Sequence, residues 1–266
     1  MLPEVFRIFS RSVSGYEFFY VLGLAAAAWT ILRLSRREGL DTVEVAAFVI
    51  LGIFCGLLGS RMLAPLATQL ARLPFAPFDS QELRRDMATG GSLFGGAFAL
   101  LLFALLYSRT FFRGKRWQLL DVSVIGIALG QGIGRLGCFA AGCCFGIPTS
   151  LPWGVSFPWL GRSPHPMAGT PLHPVQLYEA ALCLANALLL YVIWRRRRFP
   201  GQVTCLFLVN YGLIRFSLEF LRHHGPGEMI WPGGLSWYQA CSLLLLLAGW
   251  LCRRRWKKIG LRKKCL

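Results

Sequence analysis

Seven long apolar segments constrain the fold of this chain more than any other feature. They are residues 16–34, 43–63, 91–107, 119–141, 175–194, 203–221 and 236–252. A helix that crosses a bilayer needs about 20 predominantly apolar residues, and hydrophobic residues make up 55% of the 266 residues here. This composition is far from that of a soluble domain. The sequence therefore predicts an all-α integral membrane protein with seven transmembrane helices in a single polytopic domain, residues 1–266.

Basic residues predict the orientation of these helices. They cluster at Arg33, Arg36 and Arg37; at Arg109, Arg113, Lys115 and Arg116; at 195–198; and at 253–264. With seven helices, all four clusters fall on one side, which the positive-inside rule makes cytoplasmic. The N-terminus is then outside (periplasmic), 73–87 and 146–173 are outer-face loops, and 253–266 is a basic cytoplasmic tail. The expected location is the bacterial inner membrane.

The net charge of +17 does not indicate nucleic acid, because the basic clusters flank apolar segments and suit anionic lipid headgroups. A cleaved signal peptide is not expected, since Glu4 lies near the start and the alanines at 25–28 lie within an apolar segment. The nine cysteines are scattered, mostly in apolar segments. They resemble small apolar residues rather than a disulfide framework.

The segment 130–146, GQGIGRLGCFAAGCCFG, places Arg135 among closely spaced glycines. Gly126, Gly130 and Gly134 recur every four residues, which predicts a stripe that lets helices approach closely. A charge at this depth is costly unless it faces a cavity or a partner. Arg135 could instead snorkel to the interface from the end of the helix. The glycines and a second arginine later in the chain favour a binding site.

Polar residues at the starts of two other apolar segments suggest further site residues. Gly95 and Gly96 permit close approach of lipid or backbone, although ordinary helix packing also explains them. Gln176 and Glu179 share a helix face just after His173, and helix capping would also explain their position. Glu179 is harder to explain as a cap because it enters an apolar segment.

The sixth segment carries charges of both signs. Arg215 and Glu219 lie four residues apart and can pair on one helix face, with Tyr211 one turn earlier. Charges inside a membrane usually mark a polar cavity. With Arg135 and Arg222, they predict a cationic pocket that suits a phosphate group.

Five motifs in order resemble the prolipoprotein diacylglyceryl transferases, a family of seven-span bacterial inner-membrane enzymes. The motifs are GGSLFGG (90–96), GRLGCFAAGCCFG (134–146), PWGVSFP (152–158), LHPVQLYEA (172–180) and LFLVNYGLIRFSLEFLR (206–222). Gln239, before the last apolar segment, also suits this family. The resemblance covers most of the chain from about residue 90 onward.

The resemblance implies transfer of the diacylglyceryl group of phosphatidylglycerol to the lipobox cysteine of a lipoprotein precursor, with release of glycerol 1-phosphate. It implies no cofactor and no metal. Arg135 and Arg215 are the expected essential arginines, supported by Glu219 and Arg222, and His173 or Glu219 is the expected base. Expected substrate-binding residues are Gly95, Gly96, Cys138, Gly142, Gly146, Gln176, Tyr178, Glu179, Tyr211 and Arg222.

The sequence departs from the family pattern at three places. Phe94 stands where a His or Tyr is common, Cys138 stands where Asn is typical, and residues 141–146 read AGCCFG instead of NGELWG. These changes leave open a paralogous transferase that uses another lipid donor or thiol acceptor. A redox or metal site at Cys138, Cys143 and Cys144 is also open, as is a lipid binder without enzymatic activity.

Overall fold

A computed structural model of the chain describes residues 6–8, 11–72, 79–89, 93–157, 167–223 and 234–262. Its helices are α1 (Gly15–Arg37), α2 (Thr42–Arg72), α3 (Ser80–Thr89), α4 (Leu93–Phe111), α5 (Arg116–Ala141), α6 (Val175–Arg196), α7 (Gln202–Glu219) and α8 (Trp237–Arg262). Two short antiparallel hairpins, β1 (Phe6–Ile8) with β2 (Arg11–Val13) and β3 (Val155–Ser156) with β4 (Pro171–Leu172), complete it. The prediction of a helical protein is confirmed.

Four helical segments are long and apolar enough to cross a membrane by length and composition. These are Gly15–Arg37, Thr42–Leu63, Arg116–Ala141 and Val175–Arg196, and Gly95–Phe111 is a shorter apolar helix. These helices are consistent with the predicted integral membrane protein. The other two predicted spans coincide with α7 and α8, which carry more polar residues; seven spans and their orientation stay predictions.

The predicted loops and tail contain regular structure that the sequence analysis did not anticipate. Helix α2 continues through Pro65 to Arg72, and α3 occupies much of the 73–87 segment. The 146–173 segment holds the β3–β4 hairpin, and α8 extends into the basic tail as far as Arg262. Residues 73–78, 158–166 and 263–266 of these segments, and 91–92 of the third predicted span, lie outside the described residues.

Two compact units make up the chain, one of Ile31–Leu120 and the other of Met1–Thr30 with Asp121–Leu266. In the first unit, α2 packs against α4 through glycines. A Cβ on Gly59 would lie 2.7 Å from the Gly95 carbonyl oxygen, and one on Gly96 would lie 3.0 Å from that of Gly56. Gly95 and Gly96 thus make a helix-packing contact, and their role in substrate binding stays a prediction.

In the second unit, α1 and α5 touch at Gly23 and Gly130, where a Cβ on either glycine would lie 2.7 Å from the other's carbonyl oxygen. The predicted glycine stripe is thus a close helix contact at Gly130. At Gly134, by contrast, an added Cβ would meet no atom of the described residues within 4 Å.

Helix α7 is anchored to both α5 and α8. Asp121 of α5, fully buried, accepts hydrogen bonds from the backbone N–H groups of Gly201 and Thr204, both at 2.8 Å. A disulfide joins Cys205 to Cys252 of α8. This disulfide was not predicted, because each of the two cysteines resembles a small apolar residue of its helix.

Candidate functional site

The site begins where helix α5 ends. Gly142 has a left-handed φ of 69°, and its N–H donates to the Phe139 carbonyl while the Cys143 N–H donates to the Cys138 carbonyl. This pair of bonds is the Schellman motif that commonly closes a helix at a glycine. Gly142, predicted to bind substrate, therefore has a structural role as the cap, and its binding role stays a prediction.

Three parts of the chain converge just after this cap. The Gly146 N–H donates to the His173 carbonyl at 3.0 Å, and the Ile147 N–H donates to the Leu221 carbonyl at 2.9 Å. A Cβ on Gly146 would lie 2.5 Å from that Leu221 oxygen and 2.7 Å from the Cβ of His173. Only glycine fits, because the neighbours are backbone atoms and a Cβ atom. The contact holds the ends of α5 and α7 and the start of α6 together.

Arg135 lies on α5 nearly two turns before its end and faces α6. Its Nη2 is 2.9 Å from Oε1 of Glu179, and the other oxygen of the same carboxylate is 3.1 Å from Nη1 of Arg215 on α7. Glu179 therefore bridges the two arginines that the sequence analysis identified as essential. Its side chain is only 4% exposed, so both ion pairs are shielded from solvent.

The chain of charges continues along α7. Arg215 pairs with Glu219 at 3.2 Å, and Arg222 lies 3.9 Å from the same Glu219 oxygen, Oε2. The other oxygen, Oε1, accepts a hydrogen bond from Ser236 Oγ at 3.0 Å. We call Arg135, Glu179, Arg215, Glu219 and Arg222 the arginine–carboxylate group. Three guanidinium groups and two carboxylates give it one net positive charge.

Residues at the start of α8 complete this group and were not predicted as site residues. The guanidinium carbons of Arg215 and Arg222 lie 5.3 Å and 5.1 Å from the centre of the Tyr238 ring, a cation–π distance. Ser236 and Gln239 form reciprocal cap bonds of 3.1 Å and 3.0 Å. The sequence SWYQ before an apolar run is a capping-box signature, so this helix start was detectable.

His173, a predicted base, lies beside a different set of residues. Its Nδ1 is 3.4 Å from the Tyr178 hydroxyl, which also accepts a hydrogen bond from Trp153 Nε1 at 2.8 Å. Within the described residues, no hydrogen bond or ion pair joins His173 to the arginine–carboxylate group. Tyr211 stacks on Phe207 of α7 with ring centres 5.5 Å apart. The structure thus brings the predicted charged residues together, and the His173 ring contacts Tyr178.

Gln176 and three cysteines line the region between Arg135 and the α5 cap. Gln176 is buried, and its Nε2 donates to the Cys143 carbonyl at 2.7 Å. The sulfur of Cys138 lies 3.9 Å from Arg135 Nη1. The sulfurs of Cys138, Cys143 and Cys144 all lie within 4.8 Å of one another. Cys138 therefore contacts an arginine predicted to be essential, at the position where Asn is typical.

Known proteins resemble this chain over nearly its full length. The family described as prolipoprotein diacylglyceryl transferase matches residues 3–255. A phosphatidylglycerol–prolipoprotein diacylglyceryl transferase of Clostridium tetani is 32% identical over 94% of this chain and 95% of the relative. One of Geobacter sulfurreducens is 33% identical over 93% and 92%. The family match over residues 3–255 and this extent of similarity place the chain in the prolipoprotein diacylglyceryl transferase family.

Proposed function

We propose that this protein transfers the diacylglyceryl group of phosphatidylglycerol to the lipobox cysteine thiol of a lipoprotein precursor. Family membership supports the reaction class, and the relatives' names specify this donor and acceptor. The observation that carries the assignment is the single net positive charge of the arginine–carboxylate group. One phosphodiester carries one negative charge, so a bound phosphatidylglycerol headgroup neutralises the group.

The proposed reaction is a displacement at the carbon of the diacylglyceryl group that bears the phosphate ester. The thiolate sulfur forms a C–S bond with that carbon, the C–O bond breaks, and the electron pair leaves with the phosphate of glycerol 1-phosphate. The thiol proton passes to a base. The phosphate gains negative charge as the bond breaks, and guanidinium groups held in place before the reaction stabilise that charge.

Arg135 is the arginine that we expect to grip the phosphate. Its side chain is 14% exposed, against 5% for Arg215, and it is held by one oxygen of Glu179. Arg215 is enclosed by two carboxylates and Tyr238. We infer that Arg215 neutralises charge and fixes Glu179, whereas Arg135 contacts the lipid directly.

The base that accepts the thiol proton is expected to be His173 or Glu219. Both oxygens of Glu219 already accept contacts, one from Arg215 and Arg222 and the other from Ser236. A carboxylate engaged in this way is suited to holding arginines in place. His173 has an imidazole nitrogen beside the Tyr178 hydroxyl, and we therefore favour His173 as the base.

The proposed topology has seven spans, with the N-terminus periplasmic and the C-terminus cytoplasmic in the bacterial inner membrane. It is supported by the four basic clusters that alternate with apolar segments. Helices α7 and α8 then cross the membrane as the last two spans. This arrangement puts the end of α5 and the start of α6 toward the outer face, where lipoprotein precursors emerge.

A transfer assay tests the proposed function directly. Purified protein in phosphatidylglycerol micelles is given a lipobox peptide, and glycerol phosphate release is measured beside a peptide in which the cysteine is replaced by serine. We expect release only with the cysteine peptide. Absence of release from folded protein that binds phosphatidylglycerol would refute the proposal.

Variants of Arg135 test how the phosphate is held. Arg135→Ala should abolish transfer, and Arg135→Lys should lose about 100-fold or more, because lysine cannot make two parallel hydrogen bonds to a phosphate. Arg109→Ala, at an exposed arginine of α4, is the matched control and should retain activity. Full activity of Arg135→Lys would exclude bidentate binding.

A second candidate is a paralogous transferase that uses another lipid donor or thiol acceptor. The contact between Cys138 and Arg135 favours it, because a thiol replaces the typical amide beside the proposed phosphate ligand. Parallel assays with other anionic phospholipids and small thiols separate the two candidates. Faster release from one of these than from phosphatidylglycerol and the lipobox peptide would support the paralogue.

A further inference from the structure

The three cysteines around the α5 cap form a compact cluster that takes no chemical step in the transfer reaction proposed above. Cys138 lies in the last turn of α5, and Cys143 and Cys144 follow the Gly142 cap. All three sulfurs lie within 4.8 Å of one another. We call these residues the thiol cluster. None of the three belongs to the disulfide that the described residues contain.

The local backbone turns these three side chains toward one point. The Schellman cap reverses the chain so that the residues after it return toward Cys138. Cys144 has a φ of 60°, a conformation that non-glycine residues adopt at a cost and that commonly accompanies function. Buried Gln176, on α6, donates a hydrogen bond to the Cys143 carbonyl and so stabilises the turn that follows α5. The cluster is therefore held in place by contacts from two helices.

The spacing of the sulfurs suits a single thiophilic cation. Three sulfurs bound to one zinc ion at about 2.3 Å lie roughly 4 Å apart. Sulfurs within 4.8 Å of one another reach this geometry by small side-chain rotations. Cysteine thiolates are the ligands that zinc and other soft cations prefer, and a zinc ion with three protein ligands commonly takes a water molecule as its fourth.

A guanidinium group lies beside the cluster and suits the thiolate form that metal binding needs. Nη1 of Arg135 lies 3.9 Å from the Cys138 sulfur. Its positive charge offsets part of the negative charge that accumulates when three thiols lose their protons.

We propose that Cys138, Cys143 and Cys144 bind Zn²⁺ or a similar thiophilic cation, and that the bound ion inhibits transfer. Zn²⁺ with three thiolates carries one net negative charge. Placed against Arg135, it cancels the net positive charge of the arginine–carboxylate group that we assign to the donor phosphate. The inhibitory part rests on the proposed transfer reaction, whereas the binding part stands without it.

Cadmium titration tests the binding part without reference to activity. Reduced, metal-free protein in detergent is titrated with Cd²⁺, and sulfur-to-cadmium charge-transfer absorption is recorded. We expect saturation at one equivalent and an affinity at least about tenfold lower in Cys144→Ser, because one of three protein ligands is lost. Cys241→Ser, which removes a free thiol outside the cluster, is the matched control and should bind like the parent protein.

Two results would overturn metal binding. One is the absence of charge-transfer absorption from reduced parent protein that is folded. The other is unchanged affinity in both Cys144→Ser and Cys143→Ser. A thiol count after strong reduction, with the Cys144→Ser protein as reference, excludes the case in which two cluster cysteines have simply formed a disulfide.

Zinc inhibition of transfer tests the second part. We expect Zn²⁺ to raise the KM for phosphatidylglycerol about tenfold in the parent protein, because a nearby charge weakens anion binding. The ratio of KM with and without Zn²⁺ should return toward one in Cys144→Ser and stay high in Cys241→Ser. Metal binding without any change in KM would refute inhibition. A protein that binds Cd²⁺ but transfers nothing would instead refute the proposed function alone.

Discussion

Replacing Glu179 by glutamine tests whether one carboxylate organises the site. Its two oxygens hold Arg135 at 2.9 Å and Arg215 at 3.1 Å. Glutamine has the same shape but only one acceptor oxygen, and its NH₂ group would face a guanidinium group, which is also a donor. At least one arginine therefore loses its partner in Glu179→Gln, while the net charge of the group rises by one.

The expected magnitudes follow from this geometry. Removing one partner of a buried ion pair typically costs about 3–5 kcal/mol, and we expect a loss of about 3 kcal/mol because glutamine keeps one hydrogen bond. An arginine displaced by about 1 Å from its productive position lowers the rate on the order of 100-fold. We therefore expect kcat/KM to fall by about 10²–10³, although the extra positive charge favours anion binding.

Transfer kinetics and unfolding in detergent measure the two effects separately. Glu44→Gln is the control, because the side chain of Glu44 accepts a hydrogen bond from the Tyr107 hydroxyl outside the arginine–carboxylate group. The double variant Arg135→Lys with Glu179→Gln should lose less activity than the product of the two single losses, since groups that act as one unit are not additive. Activity of Glu179→Gln within about threefold of the parent would refute the bridging role.

Two further predictions concern residues that hold the site together. Asp121→Ala should lower the free energy of unfolding in detergent by about 3 kcal/mol, because it leaves the N–H groups at the start of α7 without an acceptor. Asp121→Asn should lower it less. Equal stability of the parent protein and both variants would contradict the capping role. Gly146→Ala should lower transfer at least about tenfold, because its Cβ would lie 2.5 Å from a backbone oxygen. Gly114→Ala, where no described atom lies within 4 Å, should transfer normally, and normal transfer by both variants would show that the convergence at Gly146 tolerates a side chain.

Several features of the site could be predicted from the sequence because they depend on local spacing. Arg215 and Glu219 lie four residues apart, and their predicted pairing on one face of α7 is confirmed. The cap at Gly142 follows from a glycine directly after a long apolar helix. Gly95 and Gly96 have the small-residue pattern of helix contacts, and they make such a contact with α2.

Other features involve residues far apart in the sequence, and local spacing does not reveal them. Glu179 lies 44 residues after Arg135 and 36 before Arg215, and its role as the bridge depends on how α5, α6 and α7 pack. The Cys205–Cys252 disulfide spans 47 residues, and each cysteine by itself resembles an ordinary apolar residue. The sequence does not reveal which side chain the His173 ring contacts, and the structure places that ring beside Tyr178.

The sequence by itself determined the membrane class, the positions of the long helices and the residues that carry charge into them. These properties follow from composition and from periodicity along the chain, and both are local. Only the tertiary structure decided which charged side chains pair, which glycines are in contact and that the sulfurs of three cysteines lie close together. In a membrane protein an apolar residue can face lipid or another helix equally well, so hydropathy alone does not specify which faces pack. Helix packing decides this, and with it the geometry of the arginine–carboxylate group.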